Sequence, residues 1–166
     1  MPGPFRIEAL TKAHDRAAFS CEQPSLTDYL RRYAAQDMSR AAARCYVMLE
    51  GQRVIGYYTL SNNSQPTSFV PSGKPRKPCY GEIPGILLGR LARDIAYRGQ
   101  NIGRLLLIDA MTRALRASEI SAAWALYVEA IDQKAANFYA RFDFLPLLDD
   151  PRHLFLPMET IRKALA

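Results

Sequence analysis

The chain has 166 residues, 49% hydrophobic and 23% charged, enough to pack a core without disulfide or metal staples. Three scattered cysteines without CxxC spacing and only two histidines argue against a disulfide framework or a metal centre, and fit a reducing compartment. The net charge of +6 serves solubility or a polyanionic partner, and the second needs clustered basic residues. Such clusters occur at Arg31 and Arg32, at Arg40 and Arg44, at Lys74, Arg76 and Lys77, and at Arg90 and Arg93. No cationic segment followed by an apolar stretch opens the sequence, and no apolar run approaches membrane-spanning length. A cytoplasmic protein with no membrane partner is expected.

Phe5 to Leu10 reads as a first strand. A helix is predicted to open at Ser25, with Ser25 and Asp28 as a capping box, and to fade near Arg40. Leu26, Tyr29, Leu30, Tyr33 and Ala34 form its apolar stripe, which turns Arg31 and Arg32 to the opposite side. Arg44 to Leu49 and Arg53 to Leu60 are rich in β-branched and aromatic residues, and Glu50-Gly51-Gln52 between them completes a hairpin. From residue 61 to about 85, five prolines among Ser, Asn and Gly predict a long loop inside one domain, carrying the Lys74, Arg76, Lys77 cluster.

Leu87 to Ala92 is apolar enough for a buried strand. Arg98-Gly99-Gln100-Asn101-Ile102-Gly103 is a glycine-punctuated turn, and helical periodicity begins at Ile102. Leu107, Ala110, Met111, Ala114 and Leu115 face inward, with Asp109, Thr112, Arg113 and Arg116 opposite. A strand feeding through such a turn into a helix aims backbone N–H groups and the positive end of the helix dipole at one point, an anion site. Trp124 to Ala130 is a further strand. Asp132 is placed to cap a short helix on which Phe138 and Phe142 share one face. Phe144 to Leu148 and His153 to Met158 form a last strand pair. The alternation predicts a mixed sheet flanked by helices in a single domain.

The turn from Arg98 to Gly103 resembles the phosphate turn of the GNAT family of acyl-CoA-dependent N-acetyltransferases, written [Q/R]-x-x-G-x-[G/A]. Asn101 stands where that pattern has glycine, and Asn tolerates left-handed backbone angles better than most residues. The segment with Asp132, Ala135, Phe138, Tyr139, Phe142 and Phe144 resembles the family's second signature. There Asp132 replaces an Asn, and Asp143 replaces a glycine. The resemblance runs from about Phe5 to Met158. It implies an α/β fold whose central sheet is mostly antiparallel, with a splayed parallel pair formed by the fourth and fifth strands.

The resemblance also assigns residues. Gly99, Gln100, Asn101, Ile102, Gly103 and Arg104 would bind the pyrophosphate of acetyl-CoA, with Arg98 opening the turn. Leu91, Ala92 and Arg93 would bond the pantetheine arm through the main chain, and Asp132, Ala135 and Phe138 would complete the donor site. Tyr139 matches the general acid that protonates the departing thiolate. With Phe138 and Phe142 claiming the packing face, Tyr139 is expected to be free for that role. No metal is implied. No general base stands out, with Glu129 and Glu82 the nearest possibilities. A free α-amine, with a reference pKa of about 7.7–8.0, is often neutral unaided, which favours an α-amine acceptor over lysine.

A narrower resemblance rests on Cys21, the helix from Leu26 to Ala34, Gly56 to Leu60, Leu88 to Ala92, and Ala135 to Tyr139. These are similar to the acetyltransferase toxins of type II toxin–antitoxin modules, which acetylate the α-amino group of aminoacyl-tRNA and block translation. It implies aminoacyl-tRNA as acceptor, a ribbon-helix-helix antitoxin as partner and a homodimer. Arg31, Arg32, Lys74, Arg76, Lys77, Arg90 and Arg93 are then the candidate tRNA contacts. Two other readings stand beside it: a GNAT enzyme acting on a small amine or a protein N-terminus, and a degenerate acyl-CoA-binding module in which Asn101 and Asp143 mark decay.

Overall fold

A computed structural model describes residues 5–74, 76–79 and 81–166. The elements in order are β1 (Phe5–Ala9), α1 (Pro24–Arg32), α2 (Ala34–Ser39), β2 (Arg44–Glu50), β3 (Arg53–Pro66), β4 (Glu82–Arg93), α3 (Ile102–Ile120), β5 (Ala125–Glu129), α4 (Gln133–Ala140), β6 (Leu145–Pro146), β7 (His153–Pro157) and α5 (Met158–Leu165). The strands follow the order β1-β2-β3-β4-β5-β7-β6 in one mixed sheet. The chain divides into two compact units, residues 5–61 with 89–110, and residues 62–88 with 111–166, and β3, β4 and α3 each run from one into the other.

In the first unit β1 and β2 pair antiparallel from Phe5↔Glu50 to Ala9↔Tyr46, and β2 and β3 form the expected hairpin. Gly51 turns it with φ +62°, a left-handed angle that glycine adopts without penalty. Helices α1 and α2 cover one sheet face, where Phe19, Tyr29, Leu30, Val47 and Tyr57 share a core with Ala92. The first turns of α3 cover the other. A Cβ on Gly56 would lie 2.9 Å from Leu106 Cδ1, 3.1 Å from Ile102 Cγ2 and 3.2 Å from the Ala92 carbonyl oxygen, so the glycine lets α3 pack on β3 without displacing those neighbours.

The first helix differs from expectation in two ways. It starts at Pro24, with Gln23 as N-cap and no side-chain cap, so Ser25 and Asp28 do not form a capping box. Pro24 presets the helical φ and needs no N–H partner at that position, which moves the start one residue earlier. The helix also breaks at Tyr33, whose φ of −116° leaves the helical range before α2 resumes. Ala34 is buried as the stripe requires, but Tyr33 points outward and is 48% exposed.

In the second unit β4 and β5 pair in parallel from Gly85↔Ala125 to Leu88↔Val128, and β4 continues past that last pair to Arg93. β5 pairs antiparallel with β7, which takes the two-residue β6 on its other edge. Trp124 stacks on Phe155 over a core that includes Val70, Ile83 and Tyr127. The proline-rich connection is shorter than expected, because β3 extends to Pro66 and β4 begins at Glu82. Its ends are closed by the Thr67 N–H donating to the Gly81 carbonyl at 2.9 Å. The last strand ends at Pro157, one residue before the expected Met158, and helix α5, which no expectation covers, follows with Met158 and Ile161 buried.

Candidate active site

The glycine-punctuated turn lies in the first unit. Gly99 and Asn101 both adopt left-handed backbone angles, φ +77° and +59°. The family pattern asks for glycine at position 101, and Asn supplies the same conformation at a modest penalty. The Leu105 N–H makes the first helical bond of α3, to the Asn101 carbonyl at 3.0 Å. The N–H groups of Ile102, Gly103 and Arg104 precede that bond and are the orphan donors of the helix start, where the macrodipole is positive. Gln100 and Arg104 are exposed, Gly103 is half-buried, and Ile102 is anchored in the core. Donors and dipole converge here as they do where helix N-termini bind anions.

Two ties fix the approach to the turn. Asp94, 1% exposed, caps the short turn after β4 by accepting from the Ala96 N–H at 2.8 Å. It also accepts from the Ser20 N–H at 3.3 Å and from Arg53 Nη2 at 3.4 Å, while the Ile95 N–H donates to the Ser20 carbonyl at 2.8 Å. Glu22 makes the second tie: its Oε1 accepts from Arg98 Nε at 3.0 Å and from Arg93 Nη2 at 3.2 Å. Burial pushes the Glu22 carboxyl up, but its backbone hydrogen bond and the two guanidinium groups outweigh that and hold it below the usual carboxylate range. Arg93 Nη1 is buried and has no hydrogen-bond partner among the described residues. Neither Glu22 nor Asp94 stands out in the sequence. Apart from Ala96, capped by Asp94 two residues away, their partners lie at residues 20, 53, 93 and 98, and no short-range spacing announces those.

Residues 20–32 line a groove of about 350 Å³ through Ser20, Cys21, Pro24, Thr27, Arg31 and Arg32. Arg31 Nη2 donates to the Phe19 carbonyl at 2.5 Å, and Arg32 pairs with Asp28 at 2.9 Å with most of its side chain in solvent. Arg90 lies flat on the Tyr29 ring, its guanidinium carbon 3.6 Å from the ring centroid. Leu91 and Arg93 are half-buried and Ala92 is buried.

The remaining candidates lie in the second unit. Asp132 caps α4 as expected, accepting from the Ala135 N–H at 2.8 Å. Asp143, the other departure from a family glycine, has φ +72°, again the left-handed region. The reasoning that left Tyr139 free of packing is corrected. Tyr139 is 7% exposed and packs edge-on against Phe138 and Phe144, while Phe138 and Phe142 are the half-buried pair. Position 139 faces inward because α4 is only eight residues long and turns its Ala136 and Tyr139 side to the core. The Tyr139 hydroxyl hydrogen-bonds to no described residue, and burial pushes its pKa up, so it is protonated across neutral pH.

The basic cluster of the connection does not form one free patch. Lys77 Nζ donates to the Val70 carbonyl at 2.9 Å, Arg76 lies 3.7 Å from Glu159 of α5, and Lys74 is half-buried. Neither possible base is set up as one: Glu129 is exposed, and Glu82 accepts from the Ser64 hydroxyl at 3.1 Å. Among the described residues no group of three His, Cys, Asp or Glu side chains is placed to hold a metal ion, and no helix is long and apolar enough to cross a membrane.

The chain is 37% identical over 162 residues to the tRNA-acetylating toxin of Mycobacterium tuberculosis (strain ATCC 25618 / H37Rv), covering 98% of this chain and 97% of that protein. It resembles the solved structure of AtaT complexed with acetyl-methionyl-tRNAfMet, with TM-score 0.91, 31% identity, and 98% and 99% of the two chains covered. A tyrosine-to-phenylalanine mutant of the AtaT toxin, bound to the C-terminus of the antitoxin AtaR and acetyl-CoA, matches with TM-score 0.85 at 29% identity over 99% of each chain. The model of the acetyltransferase (GNAT) family matches residues 7–144, and with the left-handed turn at Gly99 and Asn101 and the parallel β4–β5 pair in place, the chain belongs to that family.

Proposed function

We propose that this chain is an acetyl-CoA-dependent N-acetyltransferase toxin that acetylates the α-amino group of aminoacyl-tRNA and so blocks translation. The observation that carries this reading is the end-to-end match with a tRNA-acetylating toxin. The left-handed angles at Asn101 and Asp143 support an intact enzyme over a degenerate module, since both departures keep the backbone that glycine would give.

Acetyl-CoA supplies the activated acyl group as a thioester. Backbone N–H groups from Gly99 to Arg104 bind its pyrophosphate, with Gln100 and Arg98 at the mouth of the turn. Leu91, Ala92 and Arg93 align its pantetheine arm through their main chain, and Asp132, Ala135 and Phe138 order the helix that carries the acid. The acceptor arrives as a neutral amine, so its nitrogen lone pair attacks the thioester carbon without a dedicated base. As the C–S bond breaks, sulfur must gain one proton and nitrogen must lose one. Tyr139, protonated at neutral pH, donates toward the sulfur and is re-protonated by the proton that the nitrogen sheds. The phenol is a weak acid, so its contribution is the hydrogen bond to charge developing on sulfur in the transition state.

Arg31, Arg32 and Arg93, with Lys74, Arg76 and Lys77, contribute the positive field that attracts tRNA. The protein works in the cytoplasm as a homodimer and is neutralised by a ribbon-helix-helix antitoxin. Support for the antitoxin comes from AtaT, which is solved with the C-terminus of AtaR. A cell-free translation assay tests the reading. The protein should halt synthesis only when acetyl-CoA is supplied; translation that proceeds unaffected with both present would refute it.

A further inference from the structure

Four arginines of the first unit are half-buried: Arg16, Arg53, Arg90 and Arg93. Three hold an oxygen: Arg16 the Leu30 carbonyl at 3.3 Å, Arg53 the Asp94 carboxylate and Arg93 the Glu22 carboxylate. Among the described residues Arg90 hydrogen-bonds to none and pairs with no carboxylate; its guanidinium lies over the face of Tyr29, and Tyr57 and Cys45 are near enough to feel its charge. None of its nitrogens is both buried and unpartnered, so the face of the guanidinium lies on the ring while its donors reach solvent.

The ring beneath it is held from several sides. The Tyr29 hydroxyl donates to Asp37 Oδ2 at 2.7 Å. The ring stacks on Tyr57 with centroids 6.2 Å apart, and the Tyr57 hydroxyl donates to the Leu26 carbonyl at 2.7 Å. Tyr29 is 6% exposed and Tyr57 is fully buried. The guanidinium plane is therefore set by a rigid aromatic platform, and its edges remain available as a fork.

Its place on the sheet separates it from the start of α3. Tyr29 and Tyr57 lie on the face covered by α1, whereas Gly56 faces Ile102 and Leu106 at the start of α3 on the other face. The proposed pyrophosphate site is at the start of α3, so Arg90 stands across the sheet from the donor phosphates. It also lies two residues before Ala92, within reach of the stretch assigned to the pantetheine arm. We propose that Arg90, held flat on Tyr29, is the acceptor-side anchor that grips a backbone phosphate of the aminoacyl-tRNA through its guanidinium fork, with Tyr29 as its positioning residue. This rests on the tRNA-acetylating reading above. A planar fork suits two phosphate oxygens at once, which an ammonium cannot match.

The test compares wild type, Arg90→Gln and Arg90→Lys for affinity toward charged tRNA across a salt series, affinity for acetyl-CoA, and melting temperature. Arg90→Gln should weaken tRNA binding about tenfold or more and reduce the slope of log K against log salt by about 0.7–0.9, one phosphate contact. Arg90→Lys should keep the wild-type slope yet bind more weakly, and acetyl-CoA affinity should be unchanged in both. Weakened acetyl-CoA binding with intact tRNA binding would overturn the proposal by assigning Arg90 to the donor. Unchanged tRNA affinity and slope with a lowered melting temperature would overturn it by reducing the stack to a structural cap. Wild type that binds no charged tRNA would overturn the substrate reading and this proposal together, whereas wild-type binding indifferent to both variants would overturn this proposal alone.

Discussion

Replacing Tyr139 with Phe separates the two roles that the structure allows for this side chain. The ring is buried against Phe138 and Phe144, so its packing survives the substitution intact. The hydroxyl bonds to no described residue and its deletion leaves no described partner orphaned, so stability should change by less than about 0.5 kcal/mol. For a chain of this size that is a melting shift under about 2 °C. Loss of the acid should instead lower kcat about 10²- to 10⁴-fold, or about 3–5 kcal/mol of transition-state stabilisation. The assay is acetyl transfer from acetyl-CoA to charged tRNA, run beside thermal melting of both proteins. The pH profile adds an independent check. Burial raises the Tyr139 pKa above its ordinary value, so the acid form persists well into alkaline pH. Wild-type activity should rise as the acceptor amine deprotonates near about pH 8 and then stay level to about pH 9.5. Near-normal kcat in Tyr139→Phe, or a large loss of stability with it, would refute the assignment.

Further substitutions test the supporting geometry. Asn101→Gly should change stability by less than about 1 kcal/mol and keep acetyl-CoA binding, because glycine accepts φ +59°; Asn101→Val should lose both, read by melting and by coenzyme titration. Asp94→Ala should cost about 3 kcal/mol in denaturant unfolding, since it leaves the Ser20 and Ala96 N–H groups and Arg53 without their acceptor. Glu22 has a depressed folded pKa, so its stabilisation is present above the unfolded carboxylate value and disappears as pH falls through the folded one. Melting scans between about pH 5 and pH 3 should therefore fall less steeply for Glu22→Gln than for wild type.

Much of this was legible in the sequence because it is local. The hairpin, the Asp132 cap, the start of α3 and the left-handed turn at Asn101 are each set within a few residues, where turn chemistry and periodicity are strongest. Sequence and structure part where a distant or geometric constraint decides. Pro24 overrode the Ser25 capping signal, and the break at Tyr33 rotated the stripe that periodicity had run straight through. The burial of Tyr139 has a related cause: in a helix as short as α4 two phenylalanines four residues apart do not fix which side is buried, and Phe144 beyond its end packs on Tyr139. Glu22, Asp94 and the Tyr29 platform under Arg90 depend on pairs separated by dozens of residues, for which the sequence carries no pattern.

The most direct test of the central claim follows the acetyl group. The protein is incubated with acetyl-CoA labelled in the acetyl carbon and a mixture of charged tRNAs, and the aminoacyl ester is then cleaved with mild base. Label recovered as an N-acetyl amino acid released from tRNA is the predicted result. Label found only on protein or on free amines, with the charged tRNA untouched, would contradict it.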